Sequence, residues 1–209
     1  MIYSGFADEA GQSIDIQIKA TKDIGWSNIE ARAIDGVNIT DISEKKFEEV
    51  CVKLRESGVV KLCEDAGIIY LCENCSDYSA LSYNHTLRLL DKINSPAFKL
   101  IFDMGNTVGA DNWIGNPPYS KQNAWEIYNN VKEFVYHVHI KDSIIDSESK
   151  LKIHTFPGEG SAQVKRIVAD LIKRGYDGGL SIEPHMNNGS KGYVEYGRRF
   201  MKIIEDIRV

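Results

Sequence analysis

The segment Phe134-Val135-Tyr136-His137-Val138-His139-Ile140-Lys141-Asp142 reads as a strand that ends on charge. Its β-branched and aromatic residues suit a pleated, buried run. His137 and His139 are two apart, so they face the same side. Three more apolar runs end in the same manner. They are Leu71-Cys72-Glu73 and Ile101-Phe102-Asp103 upstream, and Ser181-Ile182-Glu183 downstream. Each puts an acid where the strand gives way to its loop. Each gap between these ends fits one strand-plus-helix unit.

Helical periodicity fills the gaps. The spacing predicts helices over Tyr83–Ile93, Lys121–Val131, Ala162–Arg174 and Val194–Ile207. Strands are expected at Ile68–Cys72, Phe98–Phe102, Phe134–Ile140 and Gly179–Ile182. The first third keeps the rhythm, with strands at Ile2–Phe6 and Ser27–Ala31 and helices over Ser13–Ile24 and Glu44–Ser57. Alternation without hairpins implies parallel strands joined by helical crossovers. A doubly wound sheet and a (β/α)8 barrel both fit. No G-x-G-x-x-G follows the first strand, which favours the barrel. No Pro/Ser-rich linker interrupts residues 1–209, so a single domain is expected.

The barrel is short by one unit. Such barrels run to about 250 residues. Here a strand has barely begun at Val59-Val60 when the sequence continues as the tail of a later helix, Lys61–Ala66. A βα unit near residues 60–61 is therefore missing. A strand end at the barrel mouth and a helix end at the opposite face are too far apart for one peptide link of ~3.80 Å. A spatial break between Val60 and Lys61 is expected, with the intervening unit disordered. The alternative is a true deletion.

Composition narrows the function. With 25 Lys+Arg against 30 Asp+Glu, there is no cationic excess to neutralise nucleic-acid phosphates. No run of 18 apolar residues occurs, so no membrane span is expected. The start lacks a basic n-region and soon meets Asp8 and Glu9, unlike a signal peptide. A cytoplasmic location is expected. Cys72 and Cys75 form a CxxC. They lie within and just after an apolar run rather than at a helix N-terminus, so reduced, mostly buried thiols are expected there.

In a barrel the four strand ends meet at the C-terminal mouth. Three carboxylates gathered there repel one another and call for a cation. With one imidazole, Glu73, Asp103, His139 and Glu183 suit a divalent ion of the Mn²⁺, Co²⁺, Mg²⁺ or Zn²⁺ type. Any one of these acids is more simply a helix-capping residue, but four consecutive strands ending this way are not. His137 is expected to line the barrel. Lys141 should point to the mouth, toward a substrate oxyanion or an acid such as Asp142. Glu159 sits between two glycines in a loop, and His185 lies at the pocket rim.

At these residues the chain resembles the xylose isomerase-like TIM barrels, a sugar isomerase and epimerase superfamily. The matching segments are Leu71-Cys72-Glu73-Asn74, Phe102-Asp103-Met104-Gly105-Asn106, His137-Val138-His139-Ile140-Lys141-Asp142, Pro157-Gly158-Glu159-Gly160 and Ser181-Ile182-Glu183-Pro184-His185. The resemblance implies an α/β protein of the (β/α)8 TIM barrel class lacking one unit. It implies one divalent ion held by Glu73, Asp103, His139 and Glu183, with Mn²⁺ first and Mg²⁺, Co²⁺ or Zn²⁺ as alternatives. Glu73 and Glu183 would also be the catalytic acid and base on opposite faces of the substrate.

The implied reaction is isomerisation or epimerisation of a small sugar or cyclitol. It proceeds by proton abstraction next to a carbonyl, through a metal-stabilised enediolate. Asn106, Lys141, Glu159 and His185 are the expected substrate contacts. An inosose dehydratase-like lyase and a degenerate, non-catalytic barrel are the alternatives. A DNA-cutting relative would need several metal-binding histidines, and only two of the 5 here lie on an expected metal strand. A small-molecule partner is expected, with a homo-oligomer allowed and neither nucleic acid nor membrane. The best-known ketohexose 3-epimerases of this group carry His, Arg and Glu where this chain has Asn106, Ile145 and Ser79. The resemblance therefore leaves the substrate open.

Overall fold

The computed structural model describes residues 28–30, 33–34, 37–38, 69–75, 78–186 and 189–208, with Ile16 and Gly67. The expected strand at Ile2–Phe6, the helix over Glu44–Ser57 and the join at Val60-Lys61 lie outside the described residues. So does the helix over Ser13–Ile24, apart from Ile16.

The strands are β1 (Asn28–Glu30), β2 (Ala33–Ile34), β3 (Val37–Asn38), β4 (Ile69–Glu73), β5 (Phe98–Asp103), β6 (Val135–Ile140), β7 (Asp142–Ile145), β8 (Lys152–Thr155) and β9 (Gly179–Ile182). The helices are α1 (Tyr83–Ile93), α2 (Ala124–Val131), α3 (Val164–Lys173) and α4 (Gly189–Arg208). One five-stranded sheet has the order β1-β4-β5-β6-β9. The pairs β1–β4, β4–β5 and β6–β9 are parallel, as the alternation requires.

The chain divides into two compact units, Met1–Ile101 with Phe134–Tyr136, and Phe102–Glu133 with His137–Val209. In the first, α1 begins at Ser82, whose hydroxyl accepts from the His85 amide, and ends at Asn94 in the left-handed region. Its buried face is Thr86, Leu89, Leu90 and Ile93, at helical spacing. Tyr70 of β4 stacks on Phe98 of β5, with ring centres 5.4 Å apart. In the second unit, α3 buries Val164, Ile167, Val168 and Leu171, and α2 buries Ala124, Ile127, Tyr128 and Val131. Each buried Val, Leu or Ile among them contributes roughly 1.5–3 kcal/mol of apolar burial. Phe102 packs on Tyr128, whose hydroxyl donates to Asp170 at 2.8 Å.

Two expectations need correction. Hairpins do occur: β2 pairs antiparallel with β3, and β7 with β8. The β7–β8 hairpin escapes a periodicity reading because β7 follows β6 after only Lys141 and so reads as loop. Its turn is set by Asp146, whose carboxylate accepts from the Ser149 amide and hydroxyl, each at 2.7 Å. The helix expected over Lys121–Val131 starts later, at Ala124. Asn123 caps it by accepting from the Glu126 amide. Among the described residues no helix is long and apolar enough to cross a membrane.

Candidate functional site

Strand alternation sets the site. His137 and His139 share a face of β6, and Ser181 and Glu183 share one at the end of β9. The parallel register pairs His139 with Ser181 and Ile140 with Ile182. Beneath the strand ends, His137 Nε2 lies 2.8 Å from Ser181 Oγ. Its ring stands edge-on to that of His139, with centres 5.4 Å apart. Gly179 makes room for this histidine, since a Cβ there would strike His137 Nδ1. His137 is thus a lining residue, as expected.

At the strand ends, Asp103, His139 and Glu183 each turn one ligand atom toward a common gap, all within 4.8 Å of one another. His139 Nδ1 is 2.9 Å from Glu183 Oε2 and 3.8 Å from Asp103 Oδ2. Asp103 is 0% exposed and His139 9%. Asp103 Oδ1 also accepts from the Asn106 amide at 2.8 Å, which fixes the turn after β5. Lys141, only 5% exposed, reaches into the same cluster. Its Nζ lies 2.8 Å from Asp103 Oδ2 and 3.0 Å from Glu183 Oε1.

Burial pushes the Asp103 carboxyl up to about 7, with Lys141 pulling the other way and Glu183 adding to the rise. Burial also works to raise Glu183. The His139 ring, the Asp103 carboxyl and the Lys141 ammonium overrule it and hold Glu183 well below the usual carboxylate range. Burial opposes the charge on Lys141, but Asp103 and Glu183 hold it above its ordinary value.

Asp142 is not the partner of Lys141. It is 0% exposed, and its carboxylate accepts four backbone amides. Ser143 and Ala162 donate to Oδ1 at 2.9 and 3.0 Å, and Gly158 and Gly160 donate to Oδ2, each at 2.9 Å. A Cβ at Gly160 would collide with Asp142 Oδ1, so the close approach requires glycine there. Glu159, an expected substrate contact, is exposed and pairs with Arg199. His185 Nε2 meets Glu183 Oε1, and its φ of 48° is left-handed. Its ring lies 5.2 Å from that of His154, whose Nδ1 is 3.0 Å from Ser143 Oγ. Lys152 Nζ donates to the Gly105 and Asn106 carbonyls.

Glu73 ends β4 in register with Ile101 of β5, two residues before Asp103 in that strand. Ser79 Oγ donates to the Glu73 carbonyl at 3.3 Å. Cys72 is buried, with its Sγ donating to the Glu73 carbonyl, and Cys75 is half-buried. A cleft of about 520 Å³ among Thr107–Gly109, Lys121, Gln122 and Ile144–Ser147 includes none of the clustered residues.

Sequence reasoning missed Asp142 as an anchor, and it also missed Lys152, His154 and Ser181. The regular Gly158-Glu159-Gly160 spacing was the available signal for the first. The other three sit on or beside a hairpin that reads as loop, or beneath a strand end.

Parallel strands ending in a carboxylate–imidazole cluster that could hold a metal ion define an α/β protein. The chain belongs to the xylose isomerase-like TIM barrel family, whose description matches residues 18–204. An inosose dehydratase of Clostridium beijerinckii is 25% identical over 195 residues, covering 85% of this chain and 62% of that protein. A xylose isomerase-like TIM barrel protein from Mycobacterium smegmatis, solved with magnesium, superposes with a TM-score of 0.70 at 14% identity. That match covers 94% of this chain and 67% of the other. D-psicose 3-epimerase from Clostridium cellulolyticum, solved with D-tagatose, gives a TM-score of 0.60 at 14% identity, covering 93% of this chain and 68% of that one. The chain spans less than two thirds of the length of the first curated relatives it matches.

Proposed function

We propose that this chain is a divalent-metal-dependent sugar or cyclitol isomerase or epimerase that removes a proton next to a carbonyl. The carrying observation is the convergence of Asp103, His139 and Glu183 on one gap at the strand ends. The donor chemistry fits an ion. Glu183 Oε2 is buried and lies 2.9 Å from His139 Nδ1, and both are atoms that can ligate an ion. An imidazole nitrogen and a carboxylate oxygen at that range are donor types that can share a cation once the ring nitrogen gives up its proton.

Asp103, His139 and Glu183 would hold the ion, with Glu73 as the fourth ligand. The register of β4 against β5 supports Glu73, since it sets that carboxylate at the strand end beside the one carrying Asp103. Mn²⁺ is the ion of choice, with Mg²⁺, Co²⁺ and Zn²⁺ as alternatives. When bound, the ion supplies positive charge to adjacent substrate oxygens and so makes the neighbouring C–H more acidic.

One of Glu73 and Glu183 takes the proton, and the other returns it on the opposite face. Such acid–base help is worth ~10²–10⁴-fold. Lys141 donates to the substrate oxyanion, and Asn106 and His185 contact the substrate from the rim. Glu159 joins them only by leaving Arg199.

A second reading is dehydration of an inosose, with the same proton removal followed by loss of a hydroxyl. The inosose dehydratase relative and the departures at Asn106, Ile145 and Ser79 support it.

The test is metal analysis of the purified protein, with ¹H NMR of ketoses and inososes in D₂O. The expected result is about one divalent ion per chain and loss of the signal next to the carbonyl, absent in Glu183→Gln at equal metal content. Loss of signal together with an unsaturated product selects dehydration. A metal-loaded protein that exchanges no such proton overturns the proposal.

A further inference from the structure

Lys141 follows β6 directly and is one of the most buried charged residues described, at 5% exposure. Its stem is clamped: a Cβ on Gly105 would lie 2.5 Å from Lys141 Cγ and 2.9 Å from its Cβ. The ammonium therefore reaches the cluster along one path. It touches Asp103 Oδ2 at 2.8 Å and Glu183 Oε1 at 3.0 Å. Both carboxylates belong to the set offered to a cation, and Asp103 Oδ2 also faces His139. An ammonium and a divalent ion drawn to the same oxygens repel each other strongly in so buried a place. A buried lysine, for its part, is tolerated only while such carboxylates compensate it.

We propose that Lys141 is a resident counter-cation competing with the metal for Asp103 and Glu183, so that the site holds either the ammonium or the ion on those oxygens. Lys141 keeps the metal-free carboxylates together and sets how tightly the ion binds. Metal entry turns the ammonium away from them. This rests on the metal-site reading above. It adds that Lys141 weakens metal binding, whereas a supporting ion pair that only oriented the ligands would strengthen it.

The experiment measures Mn²⁺ affinity by EPR and melting temperature with and without saturating Mn²⁺, for the wild type, Lys141→Met, Lys141→Gln and Lys141→Arg. The neutral variants should bind Mn²⁺ at least tenfold tighter than wild type. They should melt lower than wild type without metal and recover that difference when saturated. Lys141→Arg, which keeps the charge, should bind no tighter than wild type. Unchanged or weaker Mn²⁺ binding in the neutral variants overturns the inference while leaving the metal site standing. So does a melting deficit that Mn²⁺ fails to restore. If wild type binds neither Mn²⁺, Mg²⁺ nor Zn²⁺, the metal-site reading falls, and this inference with it.

Discussion

Asp142 carries more structure than any neighbouring side chain of the site. Its two oxygens accept four backbone amides, so removing the charge weakens the shared acceptor of four donors, two of them in fully buried hydrogen bonds. Asp142→Asn keeps the shape but sets an amide group against N–H donors. It should lower the unfolding free energy by about 2–4 kcal/mol in urea titrations. An unchanged midpoint would show that the Pro157–Ala162 loop is held by other means. His154 gives a pH prediction. Burial, then the positive fields of His185, Lys141 and Lys152, lower its pKa in the fold. The unfolded chain therefore takes up its proton first as the pH falls below about 6.5. Stability drains between that value and the lowered folded pKa. His154→Gln should lose less melting temperature than wild type between pH 7 and pH 5, and equal losses would remove His154 from the account. The clustered residues were legible in the sequence because strand ends repeat at a regular interval. The partners of Lys141 were not, because either Asp142 or a mouth acid satisfies a lysine at that position. Only the alternation around β6, β7 and the Gly158–Gly160 turn settles which.

Strands β4, β5, β6 and β9 and helices α1 to α3 were legible to within three residues from their apolar spacing, whereas α4 starts at Gly189, five residues before the expected Val194. The α1 helix, Tyr83–Ile93, has the expected bounds, with Ser82 and Asn94 doing the starting and stopping. Ser82→Ala should cost about 1 kcal/mol, read as a shift in the urea midpoint. The hairpin β7–β8 was illegible because each strand has only 4 residues and no helix intervenes. Packing under the strand ends is equally hidden from periodicity. Gly179 looks like a helix-to-strand turn, yet its missing side chain is what admits the His137 ring beside Ser181. Gly179→Ala should displace that ring and cost about 1–3 kcal/mol by overpacking. Nuclear magnetic resonance of the His137 ring should show its environment changed, whereas an unmoved signal would mean that the sheet yields instead.

At the scale of the molecule the sheet makes an unexpected neighbour pair. β1 runs directly beside β4, Asn28 opposite Ile69 and Glu30 opposite Leu71, although many residues separate them in sequence. Among the described strands none lies between these two. The proposed ligands Asp103, His139 and Glu183 come from β5, β6 and the residue that follows β9. A metal ion bound at the proposed site should stabilise the chain by mass action. An ion present at 100 times its dissociation constant adds about 2.7 kcal/mol of stability. At about 2–4 °C per kcal/mol for a chain of this size, saturating Mn²⁺ should raise the melting temperature by about 5–10 °C. Asp103→Ala should abolish that rise, since it removes the most buried acid of the set. A wild-type protein whose melting temperature ignores Mn²⁺, Mg²⁺, Co²⁺ and Zn²⁺ alike would mean that strand ends alone, without the full length of the relatives, do not make the site.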